Sequence, residues 1–129
     1  LYTVGAKKEI PGFKNYVSID GGMPDNPRYA LYQSAYTVCV ANRMNAPADY
    51  ECTIAGRCCE SGDLIQENIT IPEAHRGDIL AVLTTGAYNY AMSSNYNAIS
   101  KPPVVMLTKD SEYVAVRRET FEDMTSCQL

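Results

Sequence analysis

Every β-branched run in this sequence is short, and most are closed by proline, glycine or an Asp/Asn turn before a long element can form. Residues 1–9, 14–19, 36–41, 50–55, 64–71, 79–83, 104–107 and 112–116 carry the strand signal. Pro11-Gly12 separates the first pair, Asp20-Gly21-Gly22 ends the second strand, and Gly56 and Pro72 close the strands at 50–55 and 64–71. Asp110-Ser111 turns the last two runs into a hairpin. Helices have little room. Residues 24–34 hold Pro24 and Pro27 and can make only a short turn of helix or an ordered loop. Residues 86–97 allow another short helix, and residues 117–124 a charged one. The pattern predicts a closed or sandwiched all-β domain.

Composition narrows the class of partner. The chain has 129 residues, of which 46% are hydrophobic, enough apolar material for one domain with its own core. A formal net charge of -4 argues against nucleic acid and against an anionic membrane surface. No apolar run approaches the ~20 residues of a membrane-spanning helix, and no signal peptide opens the chain. The five cysteines are odd in number, Cys58 and Cys59 are adjacent, and none forms a CxxC pair. A metal site and a secreted disulfide framework are therefore both poor fits, and reduced thiols in a cytoplasmic protein fit better. Asn68-Ile69-Thr70 matches a glycosylation acceptor by chance on that reading. The opening Leu1-Tyr2-Thr3-Val4-Gly5 reads as a strand already under way, which suggests that an N-terminal portion is missing.

Chemistry-bearing residues gather in a few loops. Cys58-Cys59-Glu60-Ser61-Gly62-Asp63 places a thiol beside a carboxylate in a tight loop after a strand. A thiol can deliver a proton, and a carboxylate can hold a cationic group. The simpler reading of adjacent cysteines is a buried apolar pair. Neighbours on an extended segment face opposite ways, so Cys58 is expected to point into the core if Cys59 points out. Arg28 and Tyr32 are four apart and share a face if a helical turn forms. An arginine fork beside a phenol can grip a carboxylate or phosphate, although spacing alone favours a surface salt bridge and a half-buried tyrosine. His75, the single histidine, sits in a polar turn and reads as a solvated surface residue. The tyrosines of residues 86–97 either stack on a ring or cover the rim of the core. The charges of 117–124 read mostly as a solvated face.

Taken together, four segments resemble the diaminopimelate decarboxylases, pyridoxal-phosphate enzymes that make lysine. They are Asp20-Gly21-Gly22-Met23 with Arg28 and Tyr32; Cys59-Glu60-Ser61-Gly62-Asp63; Gly86-Ala87-Tyr88 with Met92-Ser93-Ser94-Asn95-Tyr96-Asn97; and Arg117-Arg118-Glu119-Thr120-Phe121-Glu122-Asp123. Their order and spacing run through nearly the whole chain. The resemblance implies that residues 1–129 are the C-terminal domain of a two-domain enzyme, a closed or partly open β-barrel of about eight short strands with a few short helices. It also implies an N-terminal (β/α)8 barrel, absent from this chain, that carries the Schiff-base lysine for pyridoxal 5'-phosphate. By the same resemblance Cys59 is the general acid, Glu60 holds the distal ammonium of the substrate, Arg28 and Tyr32 bind a substrate carboxylate, and Tyr88 contacts substrate and cofactor near the phosphate. A thiol is largely protonated at neutral pH, which suits a donor. A substrate with an amino-acid group at each end needs both an anion and a cation to recognise its far end. Partners implied are the missing barrel, a second copy in a homodimer, and a small amino-acid substrate, with no nucleic acid, membrane or metal.

Two departures from the family pattern stand out. Tyr29 follows Arg28 where the family usually has proline, so a less rigid loop is expected there. Residues 98–103 lack the family's arginines but keep Pro102. Two other readings stay open. A decarboxylase of the same fold could act on ornithine, arginine or carboxynorspermidine, although those using ornithine typically carry Asp after the cysteine. Alternatively, the chain could be a non-catalytic β-barrel dimerisation module that keeps these motifs by descent.

Overall fold

Pro11 and Gly12 end one run of alternating residues and let the chain double back, so the first two strands form an antiparallel hairpin; Gly12 takes a left-handed φ of 75° to do so. In the computed structural model, which describes residues 1–129, these are β1 (Tyr2–Ile10) and β2 (Lys14–Ile19). There follow α1 (Arg28–Tyr32), β3 (Val38–Val40), β4 (Tyr50–Ala55), β5 (Leu64–Ile71), β6 (Ile79–Val82), α2 (Asn89–Met92), β7 (Val104–Leu107), β8 (Glu112–Val116) and α3 (Phe121–Thr125). Short 3-10 turns lie at Ala41–Arg43 and Tyr96–Ala98. No helix is long and apolar enough to cross a membrane. The all-β expectation therefore holds, with eight strands and only short helices.

Six strands form one sheet in the order β3-β6-β1-β2-β4-β5, and β7 and β8 pair only with each other. No single closed ring forms, so of the closed or partly open barrel expected the closed form is absent. The edge strands β3 and β5 approach each other, but a side chain bridges them where a closed sheet would have a backbone ladder. Gln66 Oε1, from β5, accepts the backbone N–H of Tyr36, two residues before β3, at 2.8 Å. Burial follows from this curl. Val4, Val17, Ile19, Val38, Val40, Ile54, Ile65, Ile71, Leu80 and Val82 turn inward to form the core. Cys52 lies among them, and burial pushes its thiol up to about 11.

The pairing that matters for the site is the parallel one. β2 and β4 run side by side in the same direction, Tyr16 against Thr53 and Ser18 against Ala55. The loop after β2 (Asp20-Gly21-Gly22) and the loop after β4 (Gly56-Arg57-Cys58-Cys59) therefore leave the sheet at the same end. The Arg57 backbone N–H donates to the Gly21 carbonyl at 3.0 Å, sealing them together.

A polar knot holds the turn before β6. Arg43 reaches Asp78 Oδ2 at 2.5 Å, Asn42 donates to Asp78 Oδ1 at 2.9 Å, and the His75 backbone N–H donates to Oδ2 at 2.8 Å. His75 itself is exposed, as its turn predicts. The Arg43 guanidinium, helped by the other donors, pulls the Asp78 carboxyl down to about 2. A carboxyl whose pKa is lowered by folding stabilises the fold above its unfolded value and loses that contribution as pH falls through the folded one. Thermal unfolding followed against pH should therefore show a loss of stability from pH 3.8 down to about 2 that is smaller in Asp78→Asn than in the wild type.

Candidate active site at one end of the sheet

Asp63, the residue before β5, is 2% exposed and carries a carboxylate into the junction of the two loops. Its Oδ1 accepts the Met23 backbone N–H at 2.6 Å and its Oδ2 accepts the Cys58 backbone N–H at 2.7 Å. Its own carbonyl accepts the Gly56 N–H at 2.8 Å. A buried carboxylate is costly without such partners, and charge-assisted bonds to backbone N–H are among the stronger ones. Glycine is required on both sides: a Cβ at either Gly22 or Gly56 would overlap the carboxylate. Asp63 thus fixes where the Cys58-Cys59 loop stands relative to the loop that leads into α1.

Cys59 and Glu60 sit on the outer rim of that loop, both exposed. The Cys59 backbone N–H donates to Asn97 Oδ1 at 2.8 Å. Glu60 Oε1 accepts the Gly62 N–H at 2.9 Å, leaving its second oxygen without a partner in the chain. Cys58 is half-buried but does not enter the apolar core as alternation would have it, because residues 57–59 bend instead of running extended; it lies beside Asp63. Burial, and then the Asp63 carboxylate beside it, pushes its thiol up to about 11. A second carboxyl lies behind: Asp25 bonds the Tyr2 hydroxyl and the Gly22 N–H, and burial raises its pKa.

Arg28 begins α1 and is half-buried. The surface salt bridge that spacing suggests does not form: its guanidinium makes no ion pair or side-chain hydrogen bond. It lies over two phenol rings instead, 5.4 Å from the Tyr32 centroid and 4.9 Å from that of Tyr88. Both tyrosines are open to solvent, at 61% and 65% exposure, so both hydroxyls are free to meet a ligand. Helical spacing explains Tyr32. Tyr88 arrives from 60 residues away and is held there at φ 71° and ψ -42°, a conformation that side chains rarely adopt. The next residue, Asn89, is 4% exposed and anchors this strained turn through bonds to the Tyr36 hydroxyl at 3.2 Å and the Thr85 carbonyl at 3.0 Å.

Residues 88–97 join the two halves of the site. One end carries Tyr88 over Arg28. The middle is tied to the first loop by the Ser94 N–H, which donates to the Pro24 carbonyl at 2.8 Å, and the far end bonds Cys59 through Asn97. Glu119 backs the segment by accepting from Asn95 and from the Lys101 N–H. The charges of 117–124 are more engaged than a solvated face: Arg117 grips Asp123 with both guanidinium arms, and Thr120 and Asp123 form a capping box for α3. Tyr29 does not loosen its loop either. It is buried, and its hydroxyl donates to Glu67 Oε2 at 2.9 Å, while Lys14 pairs with the other oxygen at 2.8 Å.

All five residues singled out in the sequence (Arg28, Tyr32, Cys59, Glu60 and Tyr88) thus lie on loops or short helices joined at one end of the sheet. Three that position them, Asp63, Asn89 and Asn97, had no assigned role. A signal for Asp63 exists in Gly22 and Gly56, but those glycines lie 41 and 7 positions before it and become one cradle only on folding.

Residues 1–86 match the family of pyridoxal-dependent decarboxylase, C-terminal sheet domain, and the chain belongs to that family. It is 50% identical over 129 residues to the diaminopimelate decarboxylase of Bacillus subtilis and 48% identical over the same length to that of Halalkalibacterium halodurans, covering 100% of this chain and 29% of each relative. Among solved structures it is similar to a diaminopimelate decarboxylase from M. jannaschii in complex with L-lysine, with a TM-score of 0.92 and 30% identity, covering 99% of this chain and 29% of that one. The chain therefore spans less than a third of the length of these relatives.

The Asp63 junction generates a stability prediction. Asp63→Ala strands two backbone donors and should cost about 2–4 kcal/mol. Gly56→Ala, which drives a methyl into the same carboxylate, should be destabilising as well. Chemical denaturation of the three proteins measures both effects.

Proposed function

We propose that residues 1–129 form the C-terminal domain of a pyridoxal-phosphate-dependent diaminopimelate decarboxylase, the enzyme releasing carbon dioxide from meso-diaminopimelate to make L-lysine. One observation carries the reading: an unpaired guanidinium lies over two exposed phenols and is linked through residues 88–97 to an exposed Cys-Glu loop. Half-buried Arg28 without a carboxylate of its own is ready for one from a ligand, and Tyr32 adds a hydroxyl beside it. Glu60, with a free carboxylate oxygen, suits the ammonium at the same distal end of the substrate. Cys59 Sγ, open to solvent on the rim, delivers the proton that takes the place of the departing carboxyl group.

The residues present also fit the cofactor. Tyr88, 65% exposed and with no hydrogen bond to its hydroxyl from the chain, has a donor for an anionic oxygen of the phosphate. Bound pyridoxal phosphate supplies the electron sink for decarboxylation. In this reading its Schiff-base lysine sits in an N-terminal (β/α)8 barrel, and the sheet and hairpin described above are the barrel-like half of the enzyme. The working unit is a cytoplasmic homodimer in which the Cys-Glu loop reaches the partner's site. Residues 1–129 alone are then inactive.

The test is lysine release from meso-diaminopimelate by the intact enzyme with pyridoxal phosphate, with ornithine and arginine run alongside. Cys59→Ala should lower turnover by about a hundredfold or more. Preference for ornithine or arginine would keep the fold and overturn the role given to Glu60. Absence of turnover on all three would leave a non-catalytic dimerisation module.

A further inference from the structure

The general acid proposed above is held by a residue outside its own loop. Asp63 locks Cys58 from below, but nothing in the loop binds the backbone of Cys59 itself. The bond it makes is to Asn97, whose Oδ1 accepts the Cys59 N–H at 2.8 Å. Asn97 reaches this position from a left-handed backbone, φ 55° and ψ 25°, a conformation asparagine tolerates better than most residues. Its segment is not free to drift. Ser94 is tied to Pro24, Asn95 bonds both the Ile99 carbonyl and Glu119, and Tyr88 stacks on Arg28. The position of Cys59 is thus referred to the same segment that presents Tyr88.

We infer that Asn97 is a positioning residue for Cys59, setting the thiol's place relative to Tyr88 and Arg28 so that proton delivery and substrate grip stay in register. The inference rests on the functional reading above for its catalytic consequence, but not for its geometry. Misplacing a proton donor lowers the rate of the step it serves while leaving substrate binding largely intact. A residue that merely stabilised the fold would instead change the amount of active protein or affect binding and turnover together.

The experiment compares wild type, Asn97→Ala and Asn97→Asp in the intact enzyme, by steady-state kinetics on meso-diaminopimelate and by peptide-resolved alkylation with iodoacetamide. Loss of one hydrogen bond that orients the donor predicts a kcat about tenfold lower in Asn97→Ala with KM within about twofold. Asn97→Asp keeps the acceptor oxygen and should recover most of that loss. Labelling of Cys59 should change by about threefold or more in Asn97→Ala and return toward wild type in Asn97→Asp, while exposed Cys127, outside the site, labels unchanged. Wild-type kinetics and Cys59 labelling in Asn97→Ala would overturn the inference, as would equal impairment of both variants. If the wild type itself releases no lysine, the functional reading falls, and the labelling contrast between Cys59 and Cys127 alone decides the role of Asn97.

Discussion

The Asp63 carboxylate is the constraint on which the working end of this domain depends. It sits 2% exposed where three stretches of chain converge, and its two oxygens take one backbone N–H from each of the loops after β2 and β4. A charge in that setting is tolerated because the donors are fixed and close. The arrangement works only because residues 22 and 56 have no side chain. Electrostatics and sterics therefore act together: the carboxylate draws the loops in, and the glycines let them come close enough.

That junction orders loops that are otherwise exposed. Functional side chains often stand on loops held by a rigid scaffold, and here the scaffold ends just beneath them. Cys59 and Glu60 are one and two residues beyond the amide that Asp63 grips, so their backbone inherits its order. Arg28 follows the other anchored loop, in which Met23 and Asn26 bond Asp63 and the Gly22 carbonyl. Residues 88–97 then bridge the two branches from outside. The resulting surface is open and brings the Arg28 guanidinium, two accessible phenols, a thiol and a carboxylate onto linked loops.

Strand positions were largely legible, because period-two alternation and proline or glycine boundaries are local signals. Tyr50–Ala55, Leu64–Ile71, Val104–Leu107 and Glu112–Val116 match their sequence ranges. β3 is shorter than residues 36–41, since only Val38–Val40 find partners on β6. Closure was not legible, because whether two edges join by backbone bonds depends on how far the sheet curls. At the site, Arg28, Tyr32, Cys59, Glu60 and Tyr88 stood out through family motifs. The supports did not, because an aspartate in a turn and asparagines in a polar run look like ordinary loop residues.

The sequence by itself determined an all-β domain, its strand segments and the chemical types gathered in its loops, since propensity, alternation and turn residues act over a few positions. The family resemblance added the roles expected of them. Tertiary structure decided which loops meet. The parallel pairing of β2 with β4 puts two strand ends side by side, and the long return of the chain through residues 88–97 lays Tyr88 on Arg28 and Asn97 on Cys59. Those contacts span tens of residues and form only when the apolar core has set the strand order, so no local pattern could contain them.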